Sequence, residues 1–197
     1  MNIDKFWEIV DQCKDFVNPE VALEDLLSEL SPEDIAEFFY VFCRLEAYAY
    51  SETMWCAAYL LNGGCSDDGF EYFRRGLISK GRAVYELALK NPDDLVCLWG
   101  QGDIRNESFG HAAPDAYMKK TGLSVEEAYD YLYGYKRGEV FELHIDGQLF
   151  ERKPQTQSWD FDDEQENRKR LPRLTDLSSQ QYECQLAQWA AIGGIAA

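Results

Sequence analysis

The sequence predicts a mainly α-helical fold: a single-domain, irregular bundle of about eight to ten helices with one small β-hairpin near 140–152. Three observations predict it. Apolar residues recur at helical spacing through most of the chain, capping residues stand where those runs begin, and strict alternation is confined to one short stretch.

The first three helices follow from Ile3, Phe6, Trp7 and Val10, then Leu23, Leu26, Leu27 and Leu30, then Ile35, Phe38, Phe39, Phe42 and Leu45. Pro19 lies near the start of the second. Ser31-Pro32-Glu33-Asp34 gives the third a capping hydroxyl, an N1 proline and two acids at its positive end. Ser51-Glu52-Thr53 opens a fourth helix with a Met54, Trp55, Ala58, Leu61 stripe, which runs into Asn62-Gly63-Gly64. Ser66 or Asp67 caps a fifth, carrying Phe70, Phe73 and Leu77 on one face and broken by Gly81.

A sixth helix is expected to turn Val84, Leu87 and Ala88 inward and to stop at Asn91-Pro92. A brief helical turn and a loop occupy 93–106. Helices at about 109–120 and 124–133 come next, the second opened by a Ser124…Glu127 capping box. Around them Tyr117, Tyr129, Tyr131, Tyr133 and Tyr135 read as amphipathic packing. The hairpin runs from Val140 to Arg152, with Asp146-Gly147 as a type I′ turn, and it needs a helical surface to lie on. Lys153 to Ser158 is a polar linker. Asp160 to Arg170 is acid-first and base-last, as a helix dipole favours, and Pro172 is expected to stop it. A last helix places Tyr182, Leu186 and Trp189 on one face between Ser178 and Ala190. The expected organisation is one helical domain over 1–175 and a C-terminal extension, 176–197, of one packed helix and a flexible end.

A chain of 197 residues with 46% apolar content has ample material for one core. No apolar run approaches the roughly 20 residues that cross a bilayer, and the N-terminus lacks the basic and apolar regions of a leader. Cytoplasmic residence is the expectation. Six cysteines form no Cys-x-x-Cys pair and sit in apolar company, so they read as reduced core residues. Against 19 bases stand 36 acids, a net charge of −17 that argues against nucleic acid and against an anionic membrane surface. Residues 1–50 hold 12 of those acids and 3 bases. Such a surface either keeps the protein soluble or meets a basic protein partner.

Gly63 to Gly69, Gly-Gly-Cys-Ser-Asp-Asp-Gly, concentrates chemistry-bearing residues. Each has a structural explanation: Gly63 and Gly64 end a helix, Ser66 to Asp68 cap the next, and Gly69 permits close helix packing. A glycine turn at a helix N-terminus also suits an anion, although Asp67 and Asp68 would repel it, and the spacing fits neither a P-loop nor a dinucleotide fingerprint. A hydrolase or metal site would use the two aspartates with Arg74 as an electrostatic stabiliser, but His111 and His144 are the only histidines and form no metal-ligand spacing. Cys65 gains nucleophilicity from the helix end and loses it to the neighbouring acids. The candidate ligand-binding residues are Asn62, Gly64, Ser66, Asp67, Asp68 and Arg74. No catalytic residue, cofactor or metal is assigned.

The run Leu60 to Arg82, LLNGGCSDDGFEYFRRGLISKGR, resembles the signature of the bacterial family known as domain of unknown function 4240. Agreeing pieces are Ile3 to Trp7, Leu30 to Ile35, Tyr85 to Asp93, Trp159-Asp160 and Leu171 to Leu174, which together span 1 to about 175. The resemblance implies no activity, cofactor or catalytic residue. Arg75 stands where that pattern has a glycine, and the chain after Leu174 passes the usual end of the domain. The leading expectation is a non-enzymatic binding or regulatory protein, immunity- or inhibitor-like towards a basic partner. The alternatives are a hydrolase-like enzyme with a pocket at Asn62, Asp67, Asp68 and Arg74, and a structural or oligomerising domain.

Overall fold

The computed structural model describes residues 1–135, 141–151 and 158–191, with 183–191 described as backbone only. Helices α1 (Ile3–Cys13), α2 (Pro19–Ser28), α3 (Pro32–Tyr48), α4 (Glu52–Asn62), α5 (Asp67–Ser79) and α6 (Arg82–Lys90) follow one another with short turns. A 3-10 segment, Pro92–Leu98, and a loop lead to α7 (Ala112–Thr121) and α8 (Val125–Gly134). Strands β1 (His144–Ile145) and β2 (Gln148–Leu149), then α9 (Glu164–Arg170) and α10 (Pro172–Ala191), complete the described chain. The mainly α fold with a small hairpin is therefore present.

Local chemistry sets the helix starts. Asn2 accepts the N–H of Lys5, Ser31 that of Asp34, Ser51 that of Met54 and Ser66 that of Gly69, each satisfying a donor that the helix itself cannot pair. Ser124 and Glu127 form the full capping box of α8.

The core is aromatic at its N-terminal end. Phe6 stacks on Phe38 with ring centroids 4.5 Å apart, and Trp7 lies edge-on to Phe6 at 5.0 Å. Burying each such ring is worth roughly 1.5–3 kcal/mol. Helix α2 packs along α7, and α3 lies against α5, α7 and α8, so the acidic N-terminal helices are integral to the fold.

Several sequence expectations are corrected by the packing. In α6, Tyr85, Ala88 and Leu89 are buried while Val84 and Leu87 are half-buried, because the Tyr85 hydroxyl turns inward to donate to the Leu45 carbonyl at 2.7 Å. Close packing on α5 needs Gly76 rather than Gly69: a Cβ at Gly76 would stand 1.7 Å from the Ile104 carbonyl oxygen. Pro172 does stand between two helices, but as the first residue of α10, which begins six positions before Ser178 and runs across the 175/176 boundary. Among the cysteines, Cys13 and Cys56 are buried, Cys43 and Cys65 half-buried, and Cys97 is exposed rather than in the core; all five are free thiols. Cys184, Leu186 and Trp189 fall where no side chain is described, and Lys153 to Gln157 lie outside the described residues.

Asp146 and Gly147 have φ of 53° and 76°, as a type I′ turn requires. The paired strands are only two residues each. Their apolar flank, Phe141, Leu143 and Ile145, is buried, and the rings of Phe141 and Phe150 lie 6.0 and 6.3 Å from that of Tyr48 on α3. That is the helical surface the hairpin needs. Val140 and Arg152, its expected ends, lie outside the described residues.

Candidate functional site

The Gly63–Gly69 segment is built by the end of one helix and the start of another. Gly63 adopts the left-handed conformation that closes α4, and the N–H of Gly64 reaches the Tyr59 carbonyl at 2.9 Å. Ser66 then caps α5, and Asp67 and Asp68 occupy its exposed first turn, where the helix dipole favours anions.

Arg74 lies almost two turns further on and does not face the aspartates. Its Nη1 donates to the Glu46 carbonyl at 2.9 Å, and its guanidinium lies 5.1 and 5.0 Å from the ring centroids of Tyr50 and Phe70. Arg75, beside it, donates through Nε to the Glu46 carboxylate at 3.1 Å and also pairs with Glu71. Burial raises the pKa of the Glu46 carboxyl, and the two arginines oppose that rise. The Arg75 side chain crosses Gly110 so closely that a Cβ there would lie 2.6 Å from Nε.

Asn62 lines a different, polar cavity of about 330 Å³ with Trp99, Gly100, Gly102, Asp103 and Arg105. Asp103 grips Arg105 through Nε at 2.8 and 2.9 Å, so the cavity's cation is already neutralised and the Asp103 pKa is lowered. Ser66, Asp67 and Asp68 therefore adjoin one another on the first turn of α5, with Gly64 in the turn before it. Asn62 and Arg74 diverge from them. Burial pushes the Cys65 thiol up to about 11, opposite to what a nucleophile needs. His111 contacts the Tyr129 hydroxyl at 3.0 Å, and His144 lies on the hairpin.

Residues 1–119, more than half of the chain, match the family described as "Protein of unknown function (DUF4240)". The chain belongs to the DUF4240 family. No curated protein and no solved structure matches it. The match takes in the whole of the Leu60 to Arg82 signature and ends before Trp159-Asp160 and Leu171 to Leu174.

Two features of this DUF4240 protein are absent from the sequence expectations. One is a cleft of about 320 Å³ between α4 and the 158–162 segment, walled by Trp55, Tyr59, Trp159 and Phe161 and carrying the carboxylates of Glu52, Asp160 and Asp162. The alternation Trp159-Asp160-Phe161-Asp162 is its sequence signal. The other is a groove of about 550 Å³ between the end of α1 and α2, lined by Gln12, Phe16, Ala22, Asp25, Leu26 and Glu29. Phe16 is 62% exposed there, and Val17 and Val21, close to it in sequence but outside the groove lining, are 95 and 53% exposed. Its signal is the apolar pair Phe16-Val17 between Asp15 and Pro19, which marks exposed apolar surface inside an acidic stretch. Among the described residues no helix of this DUF4240 chain is long and apolar enough to cross a membrane.

Proposed function

We propose that this protein is a non-enzymatic binding or regulatory protein of the cytoplasm that takes a basic protein partner, in the manner of an immunity or inhibitor protein. The observation that carries this reading is the acid-rimmed groove beside Phe16. Large exposed apolar side chains are costly to leave in water and mark contact surfaces. Here they stand near the exposed acids Asp15, Asp25 and Glu29, while Asp11 is paired with Lys14 at 3.2 Å, and none of the six residues lining the groove is basic. A segment of a partner with apolar side chains flanked by lysines or arginines complements both properties. Charge would speed the encounter, and the apolar floor would set the residence time.

Titration with a fluorescent amphipathic Lys/Leu helical peptide tests this. Binding is expected to weaken steeply as added salt shortens the Debye length. The substitution Phe16→Ser is expected to weaken it about tenfold, equivalent to ~1.4 kcal/mol. Val125→Ser removes another exposed apolar side chain, on α8, and is expected to leave binding unchanged. Equal affinity of the groove variant and the unaltered protein would refute the assignment.

A further inference from the structure

We propose that the cleft between α4 and the 158–162 segment binds a small organic cation, with a methylated or quaternary ammonium as its preferred chemistry. The cleft's walls are π faces and carboxylates. Phe161 stands edge-on to Trp55 at 6.2 Å and 63°, and to Trp159 at 5.2 Å and 71°, so the rings enclose a space instead of stacking into a solid cluster. Tyr59 completes that wall, 5.7 Å from Phe161.

The walls are held in place before any ligand arrives. Trp55 donates Nε1–H to the Cys65 carbonyl at 3.0 Å and stacks on Phe70 at 5.0 Å and 10°. Trp159 donates Nε1–H to Asn167 at 2.8 Å, and Asn167 in turn donates to the Phe161 carbonyl at 2.7 Å. Tyr59 donates to Asp162. Rigid aromatic walls bind without first having to be ordered.

These same bonds choose the ligand. Both indole N–H groups and the Tyr59 hydroxyl hydrogen are used within the protein, so the walls have few donors left for an anion or a sugar. Ring faces and carboxylates remain, and both attract positive charge. Arg170 shows the affinity directly: its guanidinium lies 4.2 Å from the Trp159 ring centroid. Among the described residues that line the cleft none is basic, and Arg170 stands over one face of Trp159 without lining it. A methylated ammonium needs no hydrogen-bond acceptor and presents a diffuse positive surface, which matches aromatic faces better than the strongly hydrated ammonium of a free amine.

The test is a titration with tetramethylammonium and with choline at constant ionic strength, followed by tryptophan fluorescence and calorimetry. The neutral choline isostere 3,3-dimethylbutan-1-ol serves as the comparison. Saturable millimolar binding of the cations is expected, with the isostere roughly tenfold weaker. Because Trp159→Leu removes a structural partner of Asn167, the pair Glu52→Gln, Asp160→Asn, half-buried and exposed respectively, is the primary variant. Each amide keeps an acceptor oxygen, and the pair is expected to weaken cation binding about fivefold with a melting midpoint that moves only slightly. Equal binding of the isostere, absence of saturation, or a carboxamide variant that binds as well as the unaltered protein would each overturn the proposal. The Phe16 groove takes no part in this experiment, so failure at either site leaves the other reading untouched.

Discussion

The carboxylate of Asp93 accepts the backbone N–H of Leu174 at 2.9 Å, across 81 positions of sequence. Its second oxygen accepts the N–H of Arg173 at 3.2 Å, and the residue is only 4% exposed. The 3-10 segment after Pro92 thus provides the acceptors that the first turn of α10 lacks within its own helix. Asp93→Ala is expected to cost about 1–3 kcal/mol, since two N–H groups of the helix start, one of them on buried Leu174, would lose their acceptors. Urea unfolding measures this as a lowered midpoint, and Asp93→Asn, which keeps one acceptor oxygen, is expected to fall between.

Gly76→Ala is expected to destabilise the protein by more than about 2 kcal/mol, because the added methyl would overlap the Ile104 carbonyl on the loop that crosses α5. That loop is also tied to α5 one turn earlier, through the Asn106 N–H to the Tyr72 carbonyl at 3.0 Å. Gly134→Ala meets nothing within 4 Å and is expected to be neutral or to stabilise by about 0.5 kcal/mol. Paired thermal melts of the two variants separate overlap from helix propensity.

Arg75→Gln is expected to leave the Glu46 carboxylate without its ion-pair partner at a cost of about 3 kcal/mol near pH 8. The penalty depends on pH with a definite sign. Burial already raises the Glu46 pKa above 4.5, and loss of a compensating cation raises it further. A raised folded-state pKa gives stability that is present below the unfolded value and lost as pH rises through the folded one. The gap between variant and unaltered protein is therefore expected to widen from pH 5 to pH 8 in denaturant titrations. A constant gap would mean that Glu46 is not the group responsible.

Burial pushes the thiols of Cys43 and Cys56 up to about 12 and those of Cys13 and Cys65 to about 11, against 9.0 for an unperturbed thiol. Below pH 9 these groups stay protonated in folded and unfolded chains alike. Above it the unfolded chain ionises first, so stability is expected to fall as pH rises through 9 towards 11. At pH 8, iodoacetamide with peptide mapping is expected to label exposed Cys97 long before those four.

How far the sequence speaks depends on how far each contact reaches along the chain. The Ser31, Ser51, Ser66 and Ser124 caps are satisfied within three residues, and the Asp146-Gly147 turn within two, so each is legible from its neighbours alone. The rotation of α6, the demand for glycine at position 76 and the role of Asp93 are decided by atoms 28 or more positions away. The candidate site divides in the same manner. Local spacing groups Ser66, Asp67 and Asp68, but no local rule says that Arg74 turns to Glu46, or that Asn62 faces a cavity with Asp103. The aromatic cleft needed two segments about 100 positions apart to be brought together, and only its second half carries a visible pattern.

The thiol of Cys56 donates to Asn167 at 3.2 Å across 111 positions, and the same oxygen of Asn167 accepts the Trp159 indole. Closing so long a loop is entropically unfavourable, so this contact is expected to form late in folding. On a ribosome, the α4 wall of the cleft emerges some hundred residues before the segment that faces it. Phe70 can cover one face of Trp55 soon after synthesis, so the face turned to the cleft is what stays uncovered during that interval, within reach of holdase chaperones. Arrival of Trp159 and Asn167 would then conceal it, a hand-over that timed-release translation experiments can follow by when chaperone crosslinks to α4 disappear.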